Sequence, residues 1–388
     1  MTEQQPASPP PPAPPPRKPS RALPILFGMS LTCNLFVLAA VAVACGGFFW
    51  LGRGGQESTT PLTEHYHAGK KSASDKVAVV RIDGVLMEGL NGFAEKQIEQ
   101  AAEDKHVKAV VLRINSPGGS ITSSDDLHRR LIRLRDGVAD KGTAAKPLVV
   151  SMASMAASGG YYIALPAPTI YAERTTITGS IGVYASFPDV TGLSDKVGVD
   201  MTIIKRGAVK ASGNPFRKLS DEEYAVWDDM VGHAYDQFLN VVREGRGSKL
   251  KAELTARVID EDRTVPIDGK DPKTEQATVE KKKVHYTREL ADGGIWTAEQ
   301  ALKYGLIDKV GYLDDAIQEA HDLAKLGDDW KAITYERPSL LSELLTGGKA
   351  QEPAAALDPA RLADAATPRL WYLAPQSELA GVLKAAGR

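Results

Sequence analysis

Ser151-Met152-Ala153-Ser154-Met155-Ala156-Ala157-Ser158-Gly159-Gly160-Tyr161-Tyr162 is the stretch that decides the fold. Pro147 to Met152 reads as a strand, small residues crowd its exit, and Ser158 stands where the next helix begins. Gly159 and Gly160 let the backbone come close to a neighbour or a ligand and leave amide N–H groups free at the helix start. Such amides can stabilise a developing oxyanion, assisted by the helix dipole. The same residues equally suit an N-cap serine followed by glycines kept small for packing.

Working outward, Val107 to Ile114 is a second strand and runs straight into Asn115-Ser116-Pro117-Gly118-Gly119. Two glycine turns, each directly after a strand, are what a divided oxyanion hole requires. Val77 to Ile82 and Thr169 to Ala172 read as further strands, and Ala94 to Glu103 as a helix. Ser120 to Arg135 is amphipathic, with Leu127, Leu131 and Leu134 on one face. Strands alternating with helices at this spacing predict an α/β domain with a largely parallel sheet. Asp221 to Arg243 predicts one long helix, since Tyr224, Trp227, Val231, Tyr235, Phe238 and Val242 recur at helical spacing. Residues 260–284 interrupt this pattern with mixed charges and the triplet Lys281-Lys282-Lys283, a solvated face rather than a ligand site. Beyond Arg337 the chain is Ala/Pro-rich apart from an apolar island at Leu370 to Leu373.

A nucleophilic serine needs a base. None of the seven histidines lies in a glycine turn: His128 falls in the amphipathic helix, and His65 and His67 precede the first strand. A buried lysine is the alternative, because desolvation lowers its pKa and frees the amine to take a hydroxyl proton. Lys205, Lys210 and Lys218 lie close together in the segment Ile203 to Lys218. Taken singly, each reads equally well as a surface lysine.

The amino-terminal part carries an address. A proline-rich run to Pro19 cannot bury enough surface to order itself. Arg17, Lys18 and Arg21 then precede an uncharged stretch, of which Ile25 to Leu51 as helix would reach roughly 40 Å, enough to cross a hydrocarbon core of about 30 Å. Phe48-Phe49-Trp50 closes it with an interfacial aromatic cluster. The basic residues on its amino side predict a cytoplasmic N-terminus and an external remainder. Both cysteines, Cys33 and Cys45, fall within this stretch, so neither a disulfide framework nor a Cys-rich metal site is expected outside it. A net charge of −2 gives no footprint for nucleic acid. The expected organisation is a Pro-rich arm (1–22), a transmembrane anchor (23–52), a tether (53–75), a catalytic domain (76–336) with a charged insertion at about 260–284, and an Ala/Pro-rich tail (337–388).

Ser-Pro-Gly-Gly, Met-Ala-Ala-Ser-Gly-Gly-Tyr-Tyr, Thr178-Gly179-Ser180-Ile181-Gly182-Val183 and the lysine segment, in this order, resemble the signal peptide peptidase A family. The resemblance covers roughly residues 76–325 and is to the short, single-unit form. It implies a Clp protease/crotonase-like α/β domain of repeated β-β-α units behind one transmembrane helix, and a serine endopeptidase with a Ser/Lys dyad. Carried over residue by residue, Ser158 matches the nucleophile, Lys210 the general base, and Ser180 the residue that orients the lysine. Gly119 and Gly159 match the two amide donors of the oxyanion hole. The resemblance further implies no metal or cofactor, cleaved signal peptides as substrates at the cell membrane, and a ring-like homo-oligomer whose neighbours complete one another's sites. The alternatives are a peptidase of the same clan acting on other membrane proteins, a catalytically silent scaffold, and a crotonase-type acyl-CoA enzyme. External localisation argues against the last.

Overall fold

Val77, Ala78, Val79 and Val80 are all completely buried, consecutive residues that point alternately to opposite faces of a strand. Only a sheet covered on both sides can bury such a run, and that requirement shapes the domain. The computed structural model describes residues 62–270, 277–336 and 370–373. The expected arm and anchor, and the first part of the tether, lie outside the described residues, among which no helix is long and apolar enough to cross a membrane.

In chain order the strands are β1 (Thr63–Gly69), β2 (Asp75–Asp83), β3 (Val107–Ser116), β4 (Gly118–Ser120), β5 (Leu148–Ala157), β6 (Thr169–Ala172), β7 (Ile177–Gly179), β8 (Tyr184–Ala185), β9 (Arg257–Lys270), β10 (Ala277–Glu289), β11 (Ile295–Thr297), β12 (Lys309–Val310), β13 (Trp330–Glu336) and β14 (Leu370–Leu373). The helices are α1 (Gly92–Glu103), α2 (Ile121–Asp136), α3 (Gly159–Tyr162), α4 (Thr191–Val197), α5 (Asp221–Arg246), α6 (Ala298–Tyr304) and α7 (Leu313–Leu323). A nine-stranded sheet runs β1-β13-β2-β3-β5-β6-β12, with β7 paired to β5 and β11 to β7. Its interior pairs are parallel, whereas β1 joins β13 and β11 joins β7 in antiparallel fashion. On one face Val80, Ile82, Leu112 and Ile114 pack with Ile98 of α1, Leu127 and Leu131 of α2 and Phe238 of α5. On the other, Val77, Val79, Val111 and Val149 pack with Ile317 and Ala320 of α7. This is the mixed α/β architecture that the alternation predicts.

Strand β5 positions the site. Its first half pairs with β6 from Val149 to Met152, and its second half pairs with β7 from Met155 to Ala157. Opposite β3, its register slips between Met152 and Ala156, where Ser154 donates to the Asn115 side chain at 2.7 Å. The strand therefore leaves the sheet plane just before Ser158. At the far end of α5, the buried Arg246 donates to both Asp308 oxygens at 2.9 and 3.0 Å and to the Gly305 carbonyl at 2.9 Å. Burial by itself would raise the Asp308 carboxyl; Arg246 and Lys249 outweigh it and hold the carboxyl below its ordinary value.

Three segments differ from their sequence reading. The tether contains β1, in which His65 and His67 lie; it is an edge strand alternating between exposed and half-buried residues, and its backbone pairs with β13. The charged insertion is a long antiparallel hairpin of β9 and β10, which pair only with each other among the described residues. Cross-strand charge pairing favours it: His285 lies 2.8 Å from Asp260 and 3.0 Å from Asp262, and Arg263 stacks 4.1 Å from the Tyr286 ring centre. Within the tail, the apolar island is strand β14.

Candidate active site

Ser158 occupies the N-cap position of α3 but caps nothing. Its backbone lies at φ +55° and ψ −117°, a region that L-residues avoid at a cost of about 1–3 kcal/mol. The residue is completely buried, and its Oγ has no hydrogen-bond partner among the described residues. The strain is held by what surrounds it: the Ser158 N–H donates to the Gly179 carbonyl at 2.7 Å, and its carbonyl accepts from Tyr162 at 2.9 Å. A serine kept only to cap a helix would have a relaxed backbone and a bonded hydroxyl. This one has neither, so the capping reading does not describe Ser158.

The two glycine turns meet here. A Cβ on Gly159 would stand 3.1 Å from the Gly119 N and run into Ser124 Oγ, and one on Gly160 would lie 2.6 Å from the Ser116 carbonyl oxygen. A Cβ on Gly119 would collide with the Leu86 carbonyl. As the first residue of a helix, Gly159 has no intrahelical acceptor for its N–H. Leu86 uses the Gly118 carbonyl (2.9 Å) and the Ser120 N–H (2.8 Å) on one edge of β4. Alternation along the strand turns the Gly119 N–H and C=O to the opposite edge. That edge carries β14, antiparallel, with Tyr372 opposite Gly119 and Trp371 opposite Ser120. The other edge of β14 pairs with β8, so a short extended segment lies between β4 and β8. Beside it a cavity of about 580 Å³ opens between the Ser120 end of β4 and the α5 residues Met230, His233 and Gln237. Glu88 marks its rim and accepts a hydrogen bond from Ser120 Oγ at 2.7 Å.

Ser180 sits one residue beyond the Gly179 carbonyl that holds Ser158, and it too has positive φ, +52°. Its N–H donates to the Gly294 carbonyl at 2.9 Å and its hydroxyl to the Gly293 carbonyl at 3.0 Å. The supporting turn Asp292-Gly293-Gly294 is secured by Arg288, whose Nη2 donates to Asp292 at 2.7 Å while its guanidinium lies 3.9 Å from the Trp296 ring centre. Sequence reasoning missed this turn, although an Asp-Gly-Gly cluster after a strand is a turn signal in its own right.

Lys210 stands apart. It is exposed, in a turn where its N–H donates to the Gly207 carbonyl at 3.3 Å, and its ammonium has no partner among the described residues. Because Ser158 Oγ is unpartnered, the two are not bonded within the chain. The expectation of a buried lysine is thus not met at Lys210 in the single chain. A lysine that the fold does bury is Lys146, which burial pushes down to about 8. Its ammonium is committed to the Ala101 and Asp104 carbonyls at the end of α1, at 2.5 and 2.7 Å. His128 is no substitute base: burial drives it down to about 4, and it packs edge-on against Tyr162, with ring centres 5.0 Å apart.

The profile described as Peptidase family S49 matches residues 140–257 and 277–327, which include Ser158, Ser180 and Lys210. A provisionally named protease of Synechocystis sp. is 32% identical over 283 residues, covering 73% of this chain and 87% of that one. Protease 4 of Haemophilus influenzae is 29% identical, covering 74% of this chain and 41% of its own. The chloroplastic serine protease SPPA of Arabidopsis thaliana is 32% identical, covering 72% and 37%. The chain thus spans less than half the length of the latter two.

Proposed function

Because the chain belongs to peptidase family S49, a family of serine proteases, we propose that it is a membrane-anchored serine endopeptidase working through Ser158 and Lys210. The observation that carries the reading is the buried, strained Ser158 hydroxyl without a hydrogen bond, beside the amides of Gly119 and Gly159. The strand slot between β4 and β8 supports it, since an extended peptide laid there adds a strand against the Gly119 N–H.

In the proposed reaction, neutral Lys210 takes the Ser158 proton as Oγ attacks the scissile carbonyl. The Gly119 and Gly159 N–H groups receive the oxyanion. The C–N bond then breaks, the lysine ammonium protonates the departing amine, and an acyl-serine remains. Water, deprotonated by Lys210, releases the acid and regenerates Ser158. Ser180, fixed by the Asp292–Gly294 turn, offers its hydroxyl oxygen to orient the amine.

A lysine acts as a base at neutral pH only when desolvated, whereas Lys210 is exposed in the single chain. Completion by a second copy of the chain answers this. The segment leading to Lys210 exposes Leu193, Val197, Val199, Met201 and Ile204, the last almost fully. Such a run of apolar side chains fits burial against a neighbour in a homo-oligomeric ring. With residues 23–52 as anchor and the N-terminus cytoplasmic, the site works outside the membrane near its surface, where cleaved signal peptides remain as substrates.

Labelling the detergent-solubilised protein with a fluorophosphonate tests the reading. Wild type is expected to label, Ser158→Ala not at all, and Lys210→Ala at least 10²-fold more slowly. An unlabelled wild type that is folded and oligomeric would instead favour a silent scaffold.

A further inference from the structure

The turn that carries Lys210 is pinned by two side chains immediately after it. Arg217 Nη2 donates to the Ala211 carbonyl at 2.7 Å, and Trp227 Nε1 donates to Ser212 Oγ at 2.7 Å. Neither donor is loose. Arg217 grips Glu223 with both terminal nitrogens, at 2.7 Å through Nη1, and also donates to the Lys218 carbonyl at 3.0 Å. Glu223, itself only 1% exposed, belongs to the capping box of α5: it accepts from the Ser220 N–H at 3.1 Å while its own N–H donates to Ser220 Oγ at 3.3 Å. The Trp227 indole is held edge-on against Phe187, with ring centres 4.8 Å apart. Two independent rods thus run from the first turns of α5 to the residues directly following Lys210.

Nothing in the isolated turn requires this investment. It has few buried apolar side chains of its own, and among the described residues the exposed Lys210 side chain has no hydrogen bond or ion pair that would fix it. A lysine with four rotatable bonds, presented from an exposed turn, must nevertheless place its nitrogen within hydrogen-bond reach of a serine. From this geometry we infer that Arg217, Glu223, Trp227 and Ser212 are positioning residues for the base, fixing the backbone at Ala211 and Ser212 so that Lys210 projects in one direction. The inference rests on the proposed role of Lys210. Arg217 and the Ser220 N–H hold the Glu223 carboxyl down at about 2, so the clamp stays charged throughout the range in which a lysine base would titrate. Its failure would therefore never appear as a pH effect in wild type, only in variants.

The test is steady-state hydrolysis of a fluorogenic peptide by the full-length oligomer, with active sites counted by fluorophosphonate titration. Trp227→Phe keeps the ring against Phe187 and loses only the N–H; Ser212→Ala removes the same bond from its other end. Each is expected to lower kcat per titrated site by about tenfold with KM within twofold, and the double variant to be no worse than either. Glu223→Gln, which frees Arg217, is expected to lower kcat by about 10²-fold and to move the acid limb of the kcat profile, as a mispositioned lysine regains solvent. Lys218→Ala, whose side chain takes no part, should match wild type. Wild-type kcat per site in Trp227→Phe, Ser212→Ala and Glu223→Gln, with Lys210→Ala inactive, overturns the inference and leaves the function intact. The inference is equally overturned if losses appear only as fewer titratable sites, each turning over normally, because the residues then merely support folding. An active Lys210→Ala would instead refute the proposed function.

Discussion

An unbonded, buried hydroxyl in a strained backbone should make Ser158 a weak point of the fold. A buried polar group without a partner costs about 1–3 kcal/mol, and Ser158 Oγ is such a group in the single chain. Ser158→Ala removes that group and keeps the backbone, so the protein should become more stable by about 1–3 kcal/mol. For a domain of this size that amounts to roughly 2–4 °C in Tm per kcal/mol. Ser158→Gly also relieves the positive φ, worth about 1–2 kcal/mol, but returns about 1 kcal/mol through the freer unfolded chain. It should fall within about 1 kcal/mol of the alanine variant. Ser124→Ala is the counter-example, because its hydroxyl donates to the Ser120 carbonyl at 2.8 Å and its loss should destabilise by about 1 kcal/mol. Urea unfolding measured in a Lys210→Ala background removes the proposed partner, so that only the cost of the lone hydroxyl is read. Repeating it with Lys210 present closes a double-mutant cycle, and a smaller gain there measures the Ser158–Lys210 coupling in the assembled protein. A Ser158→Ala variant less stable than its parent in the Lys210→Ala background would refute the reasoning, since Oγ would then be bonded to something else.

Other outcomes follow from the same contacts. Gly119→Ala drives a methyl into the Leu86 carbonyl and shifts the amide donor, so fluorophosphonate labelling should fall at least 10²-fold while far-UV circular dichroism holds. Asp308→Asn leaves the buried Arg246 charge unmatched and should destabilise by about 3–5 kcal/mol. The folded Asp308 carboxyl titrates below its ordinary 3.8, so its stabilisation is complete above that pH and is lost as the pH falls through the lower folded value. Melting curves between pH 2 and 6 should therefore show an acid loss in wild type that is smaller in Asp308→Asn. His128→Phe should leave kcat/KM and its pH profile unchanged, because that imidazole is already neutral and packed against Tyr162.

The parts legible in the sequence are those whose partners are near or whose burial is two-sided. Strands β2, β3 and β5 show as β-branched runs because both faces are covered, and α2 and α5 show their apolar stripes. Ser158 could be singled out by its small neighbours, but its backbone strain could not, since the Gly179 carbonyl that holds its N–H comes from outside the motif. β1 passed for a tether because Thr63, Glu64, His65 and His67 are polar, and its pairing with β13 comes from the far end of the domain. The β9–β10 hairpin reads as an irregular insertion because charged residues crowd it and cross-strand charge pairs help to register it, while of its first residues Val258 and Ile259 pack against the core. The turn holding Ser180 is hard to read because the groups that meet Ser180 are the backbone carbonyls of Gly293 and Gly294, more than a hundred positions away in the chain. Lys210 was identified by resemblance alone, and its exposed setting is something that no local pattern could reveal.

Strand β14 is covalently part of the molecule whose edge it occupies, joined to β13 through residues 337–369. A tethered segment of this kind is a competitor that dilution cannot remove, present at an effective concentration of about millimolar order. A peptide binding as proposed would then exchange with a resident strand rather than add to a vacant edge, and its apparent affinity would be scaled by the fraction of time the edge stands open. Weakly bound peptides would be turned away by the tail alone. Discrimination would begin before any side chain is read.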